Sequence, residues 1–223
     1  MLFHSQAFIL GFLPVCLGGF FLLGRAAGRV WGLRWLVAAS FVFYAWWRPP
    51  FVLLLGASIA ANYLLGRHLL GLARSGRQRA ARLWLAGGVA ANLILLGWFK
   101  YADFLLQTTA PGARALHLFL PLAISFFTFQ QIMFLVDSAR CDRQDTGPLP
   151  YAAFIAFFPH LIAGPIVRPK EIIPQLTSPG LARPDGDALS AGLMLFLLGL
   201  AKKLVLADTF GGFADRGFDA AAA

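Results

Sequence analysis

Apolar residues in this chain run in long blocks parted by short polar gaps, which suits a bilayer crossing better than the one-sided stripe of a soluble helix. About 20 mostly apolar residues span a hydrocarbon core. Six segments fit that pattern, at 6–24, 31–47, 51–70, 83–101, 116–136 and 188–207. A seventh, 151–167, is apolar but short, and Pro159, Gly164 and Pro165 interrupt it. The pattern predicts an all-α integral membrane protein. It is a multi-span helical bundle of about six spans, with a re-entrant or broken helical segment near 151–167. One transmembrane domain covers 1–223, with no soluble domain and no internal repeat.

Composition agrees. The chain is 59% hydrophobic and 13% charged, where a soluble domain carries roughly a quarter charged residues. Its mean hydropathy is +0.70. The formal charge of +9 does not point to nucleic acid, because the arginines fall in gaps between apolar blocks. Cys16 and Cys141 are far apart and lack metal or disulfide spacing. Cys16 reads as mid-span packing. No basic region precedes the first apolar block and no small-residue cleavage site follows it, so that block reads as a retained span.

The arginines set an orientation. The first gap holds Arg25, Arg29 and Arg34, and the third holds Arg67, Arg74, Arg77, Arg79 and Arg82. The second offers only Arg48. Basic loops stay cytoplasmic, which puts the N-terminus outside. The loop 137–150, with Arg140 and Arg143, then falls inside. The run Arg168, Lys170 and Arg183 stays inside only if 151–167 enters and leaves on one face, which argues for re-entry. Trp31, Trp35, Tyr44, Trp46, Trp47, Trp98 and Tyr101 gather at block ends, as interfacial belts do.

Candidate chemistry centres on Phe157-Phe-Pro-His-Leu-Ile-Ala-Gly-Pro-Ile-Val-Arg168. An ionisable residue at membrane depth is costly and is a functional hypothesis by default. Broken backbone there survives only inside protein or beside a water-filled cavity. His160 can serve as a general base or contact a substrate, or it can simply cap a helix end. Pro159, Gly164 and Pro165 would free backbone groups beside it and suit a polar cavity. Arg168 and Lys170, with Glu171, could bind an anion at a helix start or merely anchor the interface. Lys202 and Lys203 precede Asp208, by snorkelling or as an ion pair. His68 reads as interfacial beside Arg67. Asn62, Gln130 and Gln131 lie within blocks, where amides commonly hold helices together. The candidate site is His160 as catalytic residue. Pro159, Gly164, Pro165, Arg168, Lys170 and Gln130 are its substrate-binding or cavity-lining residues, with no metal. Phosphate-loop, HExxH, CxxC and Gly-x-Ser-x-Gly signatures do not occur, which argues against an ATPase, a zinc protease and a serine hydrolase.

At these residues the chain resembles the membrane-bound O-acyltransferase family, in its bacterial branch that O-acetylates exported polysaccharides such as alginate. Five ordered strings carry the resemblance: Ser40-Phe-Val-Phe-Tyr-Ala-Trp-Trp-Arg-Pro49, Gly97-Trp-Phe-Lys-Tyr-Ala-Asp-Phe104, Leu120-Pro-Leu-Ala-Ile-Ser-Phe-Phe-Thr-Phe-Gln130, the His160 string, and Leu198-Gly-Leu-Ala-Lys-Lys-Leu-Val-Leu-Ala-Asp208. The resemblance implies transfer of an acyl group from a cytoplasmic thioester, acetyl-CoA or an acyl carrier, toward an exported polysaccharide. It implies no bound cofactor. It implies a bacterial inner-membrane location, periplasmic SGNH-type acetyltransferase partners and polysaccharide biosynthesis machinery. His160 matches the histidine of the family's Pro-His-x-x-x-Gly-Pro string. The family's principal catalytic histidine, in a Trp-His-Gly-like context, has no counterpart here. The chain therefore reads as an N-terminal portion that does not catalyse alone. The alternatives left open are a non-enzymatic transporter or channel-like protein, whose broken segment would line a path, and an inactive truncated fragment.

Overall fold

A computed structural model of the protein describes residues 3–109, 116–141, 145–162, 164–165 and 167–222. Arg143 lies outside the described residues. The fold is an all-α membrane bundle, with no strand among the described residues. Helix α1 (Ala7–Ala26) opens with a π-helical stretch, Ala7–Phe12. Then come α2 (Arg29–Ala45), α3 (Pro50–Arg74), α4 (Gln78–Thr109), α5 (Ile124–Ala139), α6 (Pro148–Ala156), α7 (Phe158–Leu161), α8 (Pro169–Thr177) and α9 (Gly186–Ala221).

Four of these, α1, α3, α4 and α9, are long and apolar enough to cross a membrane. The six expected blocks are all present in sequence order, but two are shorter as helices. Helix α2 has 17 residues and α5 has 16, or about 26 and 24 Å at 1.5 Å per residue. The block expected at 116–136 is irregular through 116–120, with His117 at a left-handed φ of 49°, and becomes helical only at Ile124, after Ala123 takes a left-handed φ of 58°. The Tyr44 phenol donates to the freed Leu122 carbonyl at 3.0 Å. Tyr44 is thus 1% exposed, a buried cap for a non-helical carbonyl and not a belt residue. Trp35 departs from the belt too: its indole N–H donates to the Cys16 carbonyl at 3.0 Å. Trp31, Trp46, Trp47, Trp98 and Tyr101 are exposed, as an interfacial belt requires.

Small residues let the helices meet. Gly28, at φ 95°, turns α1 into α2. A Cβ on Gly32 would press on the Gly24 backbone and the Phe20 carbonyl. Gly66 lies under the Phe134 ring, and Gly88 under Leu65 and Leu135. These contacts seat α5 between α3 and α4, the small-residue packing expected in lipid.

Amides finish that junction. Gln131 Oε1 accepts from Ser58 Oγ at 2.8 Å and from Asn62 Nδ2 at 3.0 Å. Asn92 Nδ2 donates to Asn62 Oδ1 at 2.7 Å and to the Gly88 carbonyl at 2.8 Å. Asn62 and Gln131 thus act as the interhelical glue expected of them. Gln131→Leu should cost about 1–3 kcal/mol, since Ser58 and Asn62 would remain buried with fewer partners. A melt in detergent micelles measures this, and an unchanged melting temperature would contradict the network.

Candidate functional site

The broken segment does not cross. Helix α6 has 9 residues and α7 has 4, so α6 rises only about 14 Å against a core of roughly 30 Å. Residues on both sides of it, Asp145, Thr146 and Gly147 before and Pro169, Lys170 and Ile173 after, line one cavity of about 510 Å³. The chain therefore leaves and returns at the same end of the bundle, the re-entrant course expected from the arginines. Protein covers it: Tyr151, Phe154, Ile155 and Ala156 are fully buried.

The turn between α6 and α7 falls at Phe157, with φ −55° and ψ 106°. Pro159 sits in the first turn of α7, where its missing N–H is harmless. The freed N–H of Phe158 donates to Ser40 Oγ at 3.4 Å, and Ser40 Oγ donates to the Leu36 carbonyl at 2.8 Å. The Phe158 ring is held by Phe8, Phe12 and Phe43, with centroids at 6.0, 5.2 and 5.3 Å. The tip is thus pinned to α1 and α2.

His160 is the polar group at this tip. Its ring lies between Phe157 at 5.5 Å and Phe154 at 6.0 Å. It hydrogen-bonds the Phe154 backbone, while its Nε2 is buried without a partner. The bond therefore falls to Nδ1, and an Nδ1–H donating to a carbonyl leaves Nε2 as a free acceptor. That tautomer can receive a proton from a hydroxyl. Gly164 closes the turn, its N–H donating to the His160 carbonyl at 3.1 Å. A Cβ at Gly164 would collide with the His160 backbone. A glycine is needed there for this close approach, not to keep a cavity open.

The other candidates disperse. Pro159 is exposed and lines a different cavity, of about 620 Å³, with Phe8, Leu13, Phe158, Phe196 and Leu200. This cavity is mainly apolar, not polar as expected, because phenylalanine rings crowd its walls. Pro165 and Arg168 are exposed, with Arg168 at the start of α8. Lys170 lines the 510 Å³ cavity at the foot of the loop. Gln130 is buried on α5 with its Oε1 unpartnered and lines none of the cavities described. Ser40 and Phe43 were missed as site residues. Both lie in a string singled out for resemblance, but neither carries titratable chemistry to draw attention.

The chain is 38% identical over 251 residues to the peptidoglycan O-acetyltransferase of Helicobacter pylori, covering 99% of this chain and 47% of the relative. It is 39% identical over 228 residues to a probable alginate O-acetylase, AlgI, of Pseudomonas aeruginosa, covering 98% and 42%. A probable alginate O-acetylase of Azotobacter vinelandii is 37% identical, with 98% and 44% covered. The chain belongs to the membrane-bound O-acyltransferase family. It spans a little under half the length of these curated relatives. No family model and no solved structure matches it. Family membership accounts for all five strings at once, and three of them meet at the loop. The Ser40 string supplies Tyr44, Ser40 and Phe43, and the string ending at Gln130 supplies the Leu122 carbonyl that Tyr44 caps.

Gly164→Ala should shift the His160 turn and lower stability by about 1–3 kcal/mol, the usual cost of overpacking. Thermal denaturation with and without the substitution measures it, and a neutral result would mean that the turn is looser than described.

Proposed function

We propose that this chain is the N-terminal portion of a membrane O-acetyltransferase. The complete enzyme takes an acetyl group from a cytoplasmic thioester, acetyl-CoA or an acyl carrier, and passes it toward an exported polysaccharide such as alginate. The observation that carries this reading is 35–39% identity along 98% of the chain to proteins named for O-acetylation of alginate or peptidoglycan. Both are glycan polymers that lie beyond the inner membrane, so the acetyl group must cross it or be handed over. The proposed setting is the bacterial inner membrane with the N-terminus outside. The proposed partners are SGNH-type periplasmic acetyltransferases that complete transfer to sugar hydroxyls.

Within this reading His160 is the catalytic residue supplied by this portion. Its free Nε2 accepts the proton of an attacking hydroxyl or hydrogen-bonds the thioester carbonyl's environment through water. The Phe154 backbone fixes the tautomer, and the Phe154 and Phe157 rings fix the ring plane. Pro159, Gly164 and Pro165 shape the tight turn that carries His160, and Gln130 offers a second polar atom deep in the bundle. Arg168 and Lys170, at the foot of the loop, suit the anionic part of a thioester donor.

His160→Ala in the complete protein should reduce acetyl content of the polysaccharide by 100-fold or so, the range for loss of a general acid or base. His160→Gln, which keeps a hydrogen-bonding group but cannot take up a proton at neutral pH, should be similarly impaired. Full acetylation by both variants at equal membrane levels would remove His160 from the mechanism. Loss in the alanine variant alone would leave it a positioning residue.

A further inference from the structure

The hairpin of α3 and α4 carries Arg67, Arg74, Arg77, Arg79 and Arg82, with no acidic residue between 67 and 82. All five are exposed. None meets an acidic side chain among the described residues, where the one ion pair joins Lys203 to Asp208. Gly76, at φ 74°, closes the turn tightly, so the charges are held near one another. His68 packs edge-to-face on Trp84, with centroids 5.1 Å apart, which fixes the register of the two helices. Arg67 and Arg82 then stand within a turn of that pair. Arg74, Arg77 and Arg79 lie about 8–11 Å nearer the tip, at 1.5 Å per residue. An exposed tryptophan at a helix end marks headgroup level, and the headgroup layer is roughly 5–8 Å thick on each side. Arg67 and Arg82 therefore stand within that layer, and Arg74, Arg77 and Arg79 stand at or just beyond its outer face, from where their long side chains reach back into it.

We propose that this hairpin is a binding site for the phosphates of anionic phospholipids, such as phosphatidylglycerol. Guanidinium groups pair with phosphate in a bidentate manner, and clustered basic residues beside a membrane helix favour anionic lipid. A soluble acidic partner would need all five charges to stand clear of the headgroups, and Arg67 and Arg82, beside the His68–Trp84 pair, do not.

The test uses the full chain in detergent, with phosphatidylglycerol or phosphatidylcholine added and the thermal transition recorded. Phosphatidylglycerol should raise the transition and phosphatidylcholine should not. The preference should fall about fivefold per arginine removed, from roughly 1 kcal/mol for each basic residue near an anionic surface. Arg67→Gln, Arg74→Gln and Arg82→Gln together should abolish it, while the three lysine replacements, which keep the charge but lose the bidentate fork, should keep only part of it. Equal effects of the two lipids would overturn the proposal, as would the same gain from inorganic phosphate. Binding of a polyglutamate probe in place of phosphatidylglycerol would overturn it in favour of a soluble acidic partner.

Discussion

Lipid offers no hydrogen bonds, so every backbone N–H and C=O at membrane depth must find a partner inside the protein. That constraint governs this structure. A helix meets it automatically, but the stretch around Phe157 and the irregular entry to α5 do not. Each is rescued by one side chain from α2. Ser40 takes the Phe158 N–H, and Tyr44 gives its hydroxyl to the Leu122 carbonyl. The two residues are one helical turn apart, so a single face of α2 mends both breaks. Leaving either group bare would cost several kcal/mol, more than the packing of any one ring around it.

The same economy explains where the polar side chains are. Apolar helices gain little from one another in lipid, because the alternative to helix contact is equally apolar. Specificity must come from close approach and from amides. Here α3, α4 and α5 combine both, with Gly66 and Gly88 admitting Phe134 and Leu135 while Asn62, Asn92 and Gln131 join side chains across the gap. This firm half of the bundle backs the re-entrant loop. The Tyr151 ring of α6 packs at a tilt against Phe134 and Tyr63, with centroids at 4.0 and 5.6 Å, and Tyr63 donates to the Thr146 carbonyl at 3.1 Å.

Much of this was legible in the residues, for a physical reason. Bilayer thickness sets the length of an apolar block, so all six blocks could be located, and Pro159, Gly164 and Pro165 marked the one that could not cross. Asn62 and Gln131 were readable as glue, since buried amides rarely do otherwise. What escaped depends on distant partners. Nothing local in Leu120-Pro121-Leu122 says that a tyrosine 78 positions earlier will cap its carbonyl, and this is why the helix there begins late. Trp35 and Tyr44 look like belt residues until the groups they bond are known. Gly164 was singled out for room to be left open. The structure instead needs it for contact with the His160 backbone.

Which surfaces of such a chain call for company is decided by polar atoms, not apolar ones. Helix α9 has no buried residue along its length, and leucines from Leu189 to Leu206 stand exposed. In water that would demand a partner. In a bilayer it does not, because acyl chains cover leucine as well as protein does. The Lys203–Asp208 pair, at 2.6 Å, fits this view: a π-helical turn from Lys202 to Ala207 aligns positions five apart and lets the two charges neutralise each other. The buried atoms without partners say more. His160 Nε2, Gln130 Oε1, Gln131 Nε2 and Thr128 Oγ1 each lie out of solvent with nothing to bond. Each carries a desolvation cost of about 1–3 kcal/mol that packing alone does not offset. Natural sequences tolerate such costs mainly where a site needs the unpaired group. Of the four, only His160 belongs to a titratable side chain, so its lone pair can take up a proton as well as accept a hydrogen bond, whereas the three α5 atoms can only hydrogen-bond.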